Sequence, residues 1–138
     1  LTRRNKRVQS KQVEVLEDRI AARRQNFDFY KRNLSRYKSL SFLEEPEGYF
    51  SNRWMTCILI NSYKLREQIR LELLQNDVES RPLWKPLHLQ QAYKDCVHFT
   101  NGTSEALFEK GLCLPSGSNL TSNDLDRVVN IISNNSKL

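Results

Sequence analysis

Between Gln12 and Tyr37 the chain carries neither glycine nor proline, and apolar residues recur there at a fixed interval. Val13, Ile20, Phe27 and Leu34 stand seven apart. Leu16, Tyr30 and Tyr37 fill most of a second row that Arg23 interrupts. This spacing predicts an amphipathic helix of about seven turns, long for an ordinary domain. A stripe of that length requires an equally long surface to lie against, such as a partner domain or subunit. A free-standing coiled coil fits less well, because the pattern stops after four repeats.

The segments that follow are shorter. Ser39 to Asn52 contains Pro46 and Gly48 and reads as a short strand and a turn. Arg53 to Ile60 is apolar on both faces and rich in strand-favouring residues, the pattern of a central strand covered on both sides. From Lys64 to Gln75, Leu65, Ile69 and Leu73 keep helical spacing, with Arg66, Glu67, Arg70 and Glu72 assigned mostly to the solvent side. Asp77 to Trp84 reads as a second short strand ended by Pro82 and Pro86. Leu87 to Cys96 reads as a short helix. Thr103 to Lys110 reads as another, closed by Gly111 as the residue that turns left-handed. Leu112 to Leu114 is extended and stopped by Pro115. In the last helix Thr121 is the N-cap, Asp124 the third helical position, and Leu120 and Leu125 have the spacing of a hydrophobic staple. Val128, Val129, Ile131 and Ile132 give it an apolar face, and the polar tail from Ser133 reads as frayed. The order predicts an α+β fold: a long N-terminal helix, a short, mainly antiparallel sheet and flanking helices. Residues 12–138 make one domain, and residues 1–11 form a separate basic segment.

That basic character is local. Residues 1–38 hold 12 Lys/Arg against 4 Asp/Glu, a net of +8, whereas the whole chain has a net charge of +6. The remainder is therefore slightly acidic, and any phosphate-seeking role belongs to one end or to one loop. No apolar run approaches the roughly 20 residues of a membrane helix. Three cysteines, at 57, 96 and 113, are odd in number and show no Cys-x-x-Cys spacing. They argue against a disulfide framework or a zinc site and for a reducing compartment, the cytoplasm.

Few residues offer catalysis. His88 and His98 are the only histidines and form no ligand pair, so no metal site is expected. Glycines at 48, 102, 111 and 117 build no loop that wraps a phosphate. Glu44 with Glu45, and Asp124 with Asp126, are carboxylate neighbours best read as structural. The run Arg3-Arg4-Asn5-Lys6-Arg7 suits nucleic acid by charge, but it lacks interleaved aromatics and a helix-turn-helix partner. One cluster stands apart. Arg81, Trp84, Lys85 and His88 fall within eight residues of the stretch Glu79-Ser-Arg-Pro-Leu-Trp-Lys-Pro-Leu-His-Leu-Gln90, stiffened by two prolines. A guanidinium, an ammonium, an imidazole and an indole together suit a phosphorylated, ring-bearing ligand. From the chemistry alone, a proline-bounded connection with a core tryptophan and solvated charges is an equal alternative.

The same stretch resembles the small-domain signature of the DegT/DnrJ-type aminotransferases, which act on nucleotide-linked sugars. Gln12-Val-Glu-Val-Leu-Glu-Asp-Arg-Ile-Ala-Ala-Arg-Arg24, running on to Tyr30, resembles the family's long interdomain helix. Leu107-Phe-Glu-Lys-Gly-Leu-Cys-Leu-Pro-Ser-Gly117 and Leu120 to Ile132 resemble its closing motif and final helix. Three motifs in order span Gln12 to Ile132. The resemblance implies the C-terminal small domain of a dimeric fold-type-I enzyme, its active sites at the subunit interface. Such bacterial cytoplasmic enzymes serve cell-surface polysaccharide biosynthesis, moving an amino group, usually from glutamate, onto a nucleotide-linked keto-sugar through pyridoxal phosphate.

The family's Schiff-base lysine and cofactor-binding residues lie in a preceding large domain. No lysine here has the Ser-Phe-x-x-x-Lys setting, so the resemblance assigns this chain no catalytic and no cofactor-binding residue and implies that it is inactive alone. Its implied partners are that large domain, a second subunit and the nucleotide-sugar. Thr2 to Val8 does not reproduce the family's Asn-aromatic-Arg stretch, and nothing is carried over from Asn5 or its neighbours. Arg81, Trp84, Lys85 and His88 fall on the family loop beside the substrate entrance, which implies substrate-positioning roles. Two readings from other classes stand against this one: a regulatory, nucleic-acid-binding module using the basic segment, and a structural dimerisation domain.

Overall fold

The computed structural model describes residues 13–135, so the basic segment 1–11 lies outside the described residues. Within them the elements run α1 (Leu16–Leu34), β1 (Leu40–Phe42), β2 (Thr56–Ile60), α2 (Tyr63–Gln75), β3 (Arg81–Pro82), α3 (Thr103–Lys110), β4 (Gly111–Leu114) and α4 (Ser122–Ser133). The four strands form one antiparallel sheet in the order β1-β2-β4-β3. This is the expected α+β architecture.

Three helices share the work of covering the sheet. Tyr30 and Leu34 of α1, Leu65, Ile69 and Leu73 of α2, and Leu125, Val128, Val129 and Ile132 of α4 join Ile58, Ile60, Leu112 and Leu114 in one buried cluster. Burying each such side chain contributes roughly 1.5–3 kcal/mol before chain entropy is subtracted. The long stripe divides in two. Phe27, Tyr30 and Leu34 are buried, whereas Val13, Val15 and Leu16 stand exposed and meet no core among the described residues.

The central position of β2 agrees with its sequence, but its double cover does not. Thr56, Ile58 and Ile60 are buried, while Cys57 and Leu59 on the other face are only half-buried. The strand buried along its whole length is β4, the short apolar run flanked by β2 and β3.

Local chemistry explains most element ends. The Ser62 hydroxyl accepts from the Leu65 N–H and starts α2. Its far end closes as a Schellman turn: Asp77, at φ +55°, donates its N–H to Leu74, and Val78 donates to Leu73. This left-handed residue ends the extension expected from Asp77, and only Arg81 and Pro82 pair with β4. Arg66 is buried, not solvated. Its guanidinium donates to the Glu109 carbonyl at 3.0 Å, pairs with Glu67 and lies 4.8 Å from the Tyr63 ring centroid. At α4 the capping box of Thr121 and Asp124 is complete. The helix runs through Ser133, and Asn135 beyond it is buried, so fraying does not begin where the polar composition placed it.

Two corrections concern the signature region. Leu87 to Cys96 is not an α-helix but two single 3-10 turns, Leu87–Leu89 and Gln91–Tyr93. Gly111 is not left-handed: its φ is −84°, and it opens β4 in extended conformation. Glycine is needed there for space. A Cβ would lie 2.2 Å from Leu83 Cδ1 and 2.6 Å from the Leu107 carbonyl oxygen.

Candidate functional site

Two adjoining hollows are lined by residues of β2, β3 and β4 and the segments beside them, with Phe27 of α1 in the wall of the first. One, of about 230 Å³, is lined by Trp84, Trp54, Cys57 and Arg53, among others. The other, of about 170 Å³, is lined by Arg81, Glu79 and Cys113. Met55 borders both. Arg81 and Trp84 thus line two hollows that share one methionine, although the first belongs to β3 and the second to the loop after it.

Each residue singled out from sequence has a different local partner. Arg81 pairs with Glu79 at 2.5 Å, and both side chains are about three-quarters exposed. A pair this open holds the guanidinium loosely, worth about 0–1 kcal/mol, and a doubly charged ligand can displace the carboxylate. Trp84 is exposed, not a core residue. Its ring lies 6.1 Å from that of Trp54 with planes 30° apart, so the two indoles form an apolar platform beside the hollow. Lys85 is exposed; its backbone carbonyl accepts from Gln90, and its ammonium has no partner among the described residues.

His88 is turned elsewhere. Its Nε2 lies 2.8 Å from Glu105 Oε1 on α3, and its ring stacks on His98 at 4.8 Å. Glu105 is held down to about 2, first by its own backbone N–H and then by the Thr100 hydroxyl, so it faces the imidazole as a carboxylate. His88 and Lys85 line neither hollow. The structure therefore brings two of the four together and uses His88 to fasten the loop to α3.

Sequence reasoning missed the partners. Trp54 was read as strand core, although it precedes β2 and is exposed; its place near a second tryptophan depends on β2 and β4 being neighbours. The walls beside it are held by contacts equally non-local. Arg53 Nη1 donates to the Leu43 carbonyl at 3.0 Å, and the guanidinium sits 3.8 Å over the Phe27 ring. Glu45 accepts twice from Arg24, at 3.1 and 3.0 Å, and once from the Ser51 N–H. Arg24, and secondarily the Ser51 amide, hold the Glu45 carboxyl down to about 2. Glu45 has the structural role its turn position implied.

Pyridoxal phosphate requires a lysine amine within reach of its aldehyde. Neither hollow is lined by a lysine, and every lysine among the described residues is exposed or half-exposed. These residues do not fit as the cofactor's covalent seat. Nor do the described residues contain a His/Cys/Asp/Glu group arranged for a metal, or a helix long and apolar enough to cross a membrane.

The sequence profile of the DegT/DnrJ/EryC1/StrS aminotransferase family matches residues 6–133. EpsN of Bacillus subtilis (strain 168), described as a pyridoxal phosphate-dependent aminotransferase, is 36% identical over 125 residues, 88% of this chain and 32% of that protein. GDP-perosamine synthase of Escherichia coli O157:H7 is 29% identical over 110 residues, 80% of this chain and 29% of its own. A crystal structure of a DegT/DnrJ/EryC1/StrS aminotransferase from Brucella abortus superposes with a TM-score of 0.77 at 27% identity, covering 89% of this chain and 32% of that one. The chain spans about a third of the length of the relatives it matches.

Proposed function

Because this chain belongs to the DegT/DnrJ/EryC1/StrS aminotransferase family, we propose that it is the C-terminal small domain, residues 12–138, of an enzyme that aminates nucleotide-linked keto-sugars. Pyridoxal phosphate, held by a large domain, carries the amino group from a donor, glutamate, to the sugar. The observation that carries this reading is the match of nearly the whole chain to one third of its relatives, together with hollows that present two arginines and two indoles but no lysine. A GDP-perosamine synthase among the relatives supports a nucleotide-sugar substrate.

This chain's part is positioning. Arg81 exchanges Glu79 for a substrate phosphate, and Trp84 with Trp54 supports a ring. Lys85, next to Trp84 in the same loop, adds a point charge. His88, held on Glu105, keeps the loop that bears Trp84 and Lys85 in place. None of the four moves a proton in the reaction. The large domain and a second subunit are the partners, and the cytoplasm is the location. The regulatory alternative rests on residues 1–11, outside the described residues.

In the whole enzyme, Arg81→Ala raises KM for the nucleotide-sugar by about tenfold or more, the worth of a charge-assisted hydrogen bond. Steady-state kinetics with each substrate varied separately measures it. The KM for the amino donor stays as it was. An unchanged nucleotide-sugar KM removes Arg81 from the site.

A further inference from the structure

Cys57 and Cys113 are 56 residues apart in sequence, yet they are direct cross-strand partners in the β2–β4 ladder. Their sulfurs lie 3.7 Å apart, and both are free thiols. Directly opposed residues in an antiparallel pair have Cα atoms about 4.5–5.5 Å apart, inside the span a disulfide bridges without backbone movement. The two thiols are not equivalent. Cys57 is half-buried and lines the Trp54–Trp84 hollow, whereas Cys113 is buried and lines the neighbouring hollow beside Arg81. Cys96, the third cysteine, is exposed and lies in the loop after the 3-10 turns.

We propose that Cys57 and Cys113 are a redox modification site that takes small-molecule disulfides, such as oxidised glutathione, and closes to a cross-strand disulfide. The Cys57 thiolate attacks one sulfur of oxidised glutathione. A Cys57–glutathione bond forms, the glutathione disulfide breaks, and one glutathione leaves and takes up a proton. The Cys113 thiolate then attacks Cys57 Sγ and expels the second glutathione, which is protonated in turn. The two protein thiols lose two electrons and two protons, and the oxidant becomes two thiols.

The order of attack follows from the surroundings. Hydrogen bonding with Cys113 lowers the Cys57 pKa, and Cys57, the less buried of the two, lines the Trp54–Trp84 hollow. Cys113 is pushed up, first by that same hydrogen bond with Cys57 and then by burial. Once Cys57 is capped its thiolate is gone, and the first of those causes goes with it. Cys113 also pairs across the ladder with Arg81 on its other side. The bond thus fastens β2 to the strand that carries the Arg81 edge. This inference does not depend on the aminotransferase reading.

The test equilibrates the purified chain with mixtures of oxidised and reduced glutathione. Acid quenching, alkylation and peptide mapping by mass spectrometry then locate every cysteine. Wild type and Cys96→Ser each yield one Cys57–Cys113 linked peptide pair, about 2 Da lighter than the two thiol peptides, which dithiothreitol reverses. Cys113→Ser stops with one glutathione on Cys57, since the second attack is missing. Cys57→Ser leaves Cys113 as a free thiol under the same mixtures. Full alkylation of both cysteines at every ratio overturns the proposal. So does a stable glutathione cap on wild-type Cys57, or a bridge to Cys96 in its place.

Discussion

Replacing Gly111 with alanine tests how the signature segment is seated. The backbone there has φ −84°, which alanine adopts freely, and on backbone grounds alone the change stabilises by about 0.4–1 kcal/mol. Space reverses the sign. The added methyl meets Leu83 Cδ1 at 2.2 Å and Cγ at 2.4 Å, far inside the usual carbon–carbon contact of about 3.5–4.0 Å. Leu83 can swing aside. The Leu107 carbonyl oxygen, 2.6 Å away, cannot move without disturbing the end of α3, where it accepts the Gly111 N–H. Overpacking of this kind costs about 1–3 kcal/mol, leaving a net loss of roughly 1–2 kcal/mol. With a urea slope of about 1–3 kcal/mol/M, the unfolding midpoint falls by roughly 0.3–2 M at unchanged slope. Leu83→Ala in the same chain recovers part of the loss, and Gly111→Asn is at least as costly as Gly111→Ala. Tolerance of asparagine with intolerance of alanine would mean a left-handed residue after all and refute the steric account. A neutral Gly111→Ala refutes it as well.

Thr121→Ala removes the side chain that accepts the Asp124 N–H and breaks the capping box; the expected loss is about 1 kcal/mol in urea unfolding. Glu45 titrates lower in the folded chain, at about 2, than the ordinary 4.5. Its pairing with Arg24 and Ser51 therefore stabilises fully above about pH 4.5, and that contribution fades as pH falls towards 2. Urea midpoints collected across this window fall more steeply for wild type than for Glu45→Gln, and parallel curves would contradict the assignment.

Much of the fold was legible because its signals are local. Thr121 and Asp124 define the start of α4 through atoms three residues apart, and α3 matches its predicted Thr103–Lys110 span. The apolar run before Ile60 marked β2 as the inner strand. What failed depends on distant residues. Arg66 is buried because the Glu109 carbonyl, 43 residues on, satisfies its guanidinium. The stripe of α1 reads as continuous, yet only the part from Phe27 onward meets the sheet and α4. Leu87 to Cys96 had helical composition, but Leu87, Leu89 and Tyr93 remain exposed, so no packed face rewards a full helix. At the site, Arg81 and Trp84 were visible in the signature, whereas Trp54 and the Cys57–Cys113 pair required the strand order and Glu105 required the packing of the loop on α3.

A single labelling experiment reaches furthest. The purified 138-residue chain is mixed with equimolar pyridoxal phosphate, reduced with borohydride and mapped by mass spectrometry. If the chain supplies only substrate-positioning groups, no lysine carries a stoichiometric pyridoxyl adduct, and addition of glutamate with a keto-sugar nucleotide gives no turnover. One lysine labelled to completion, with transamination by the chain alone, would overthrow the account.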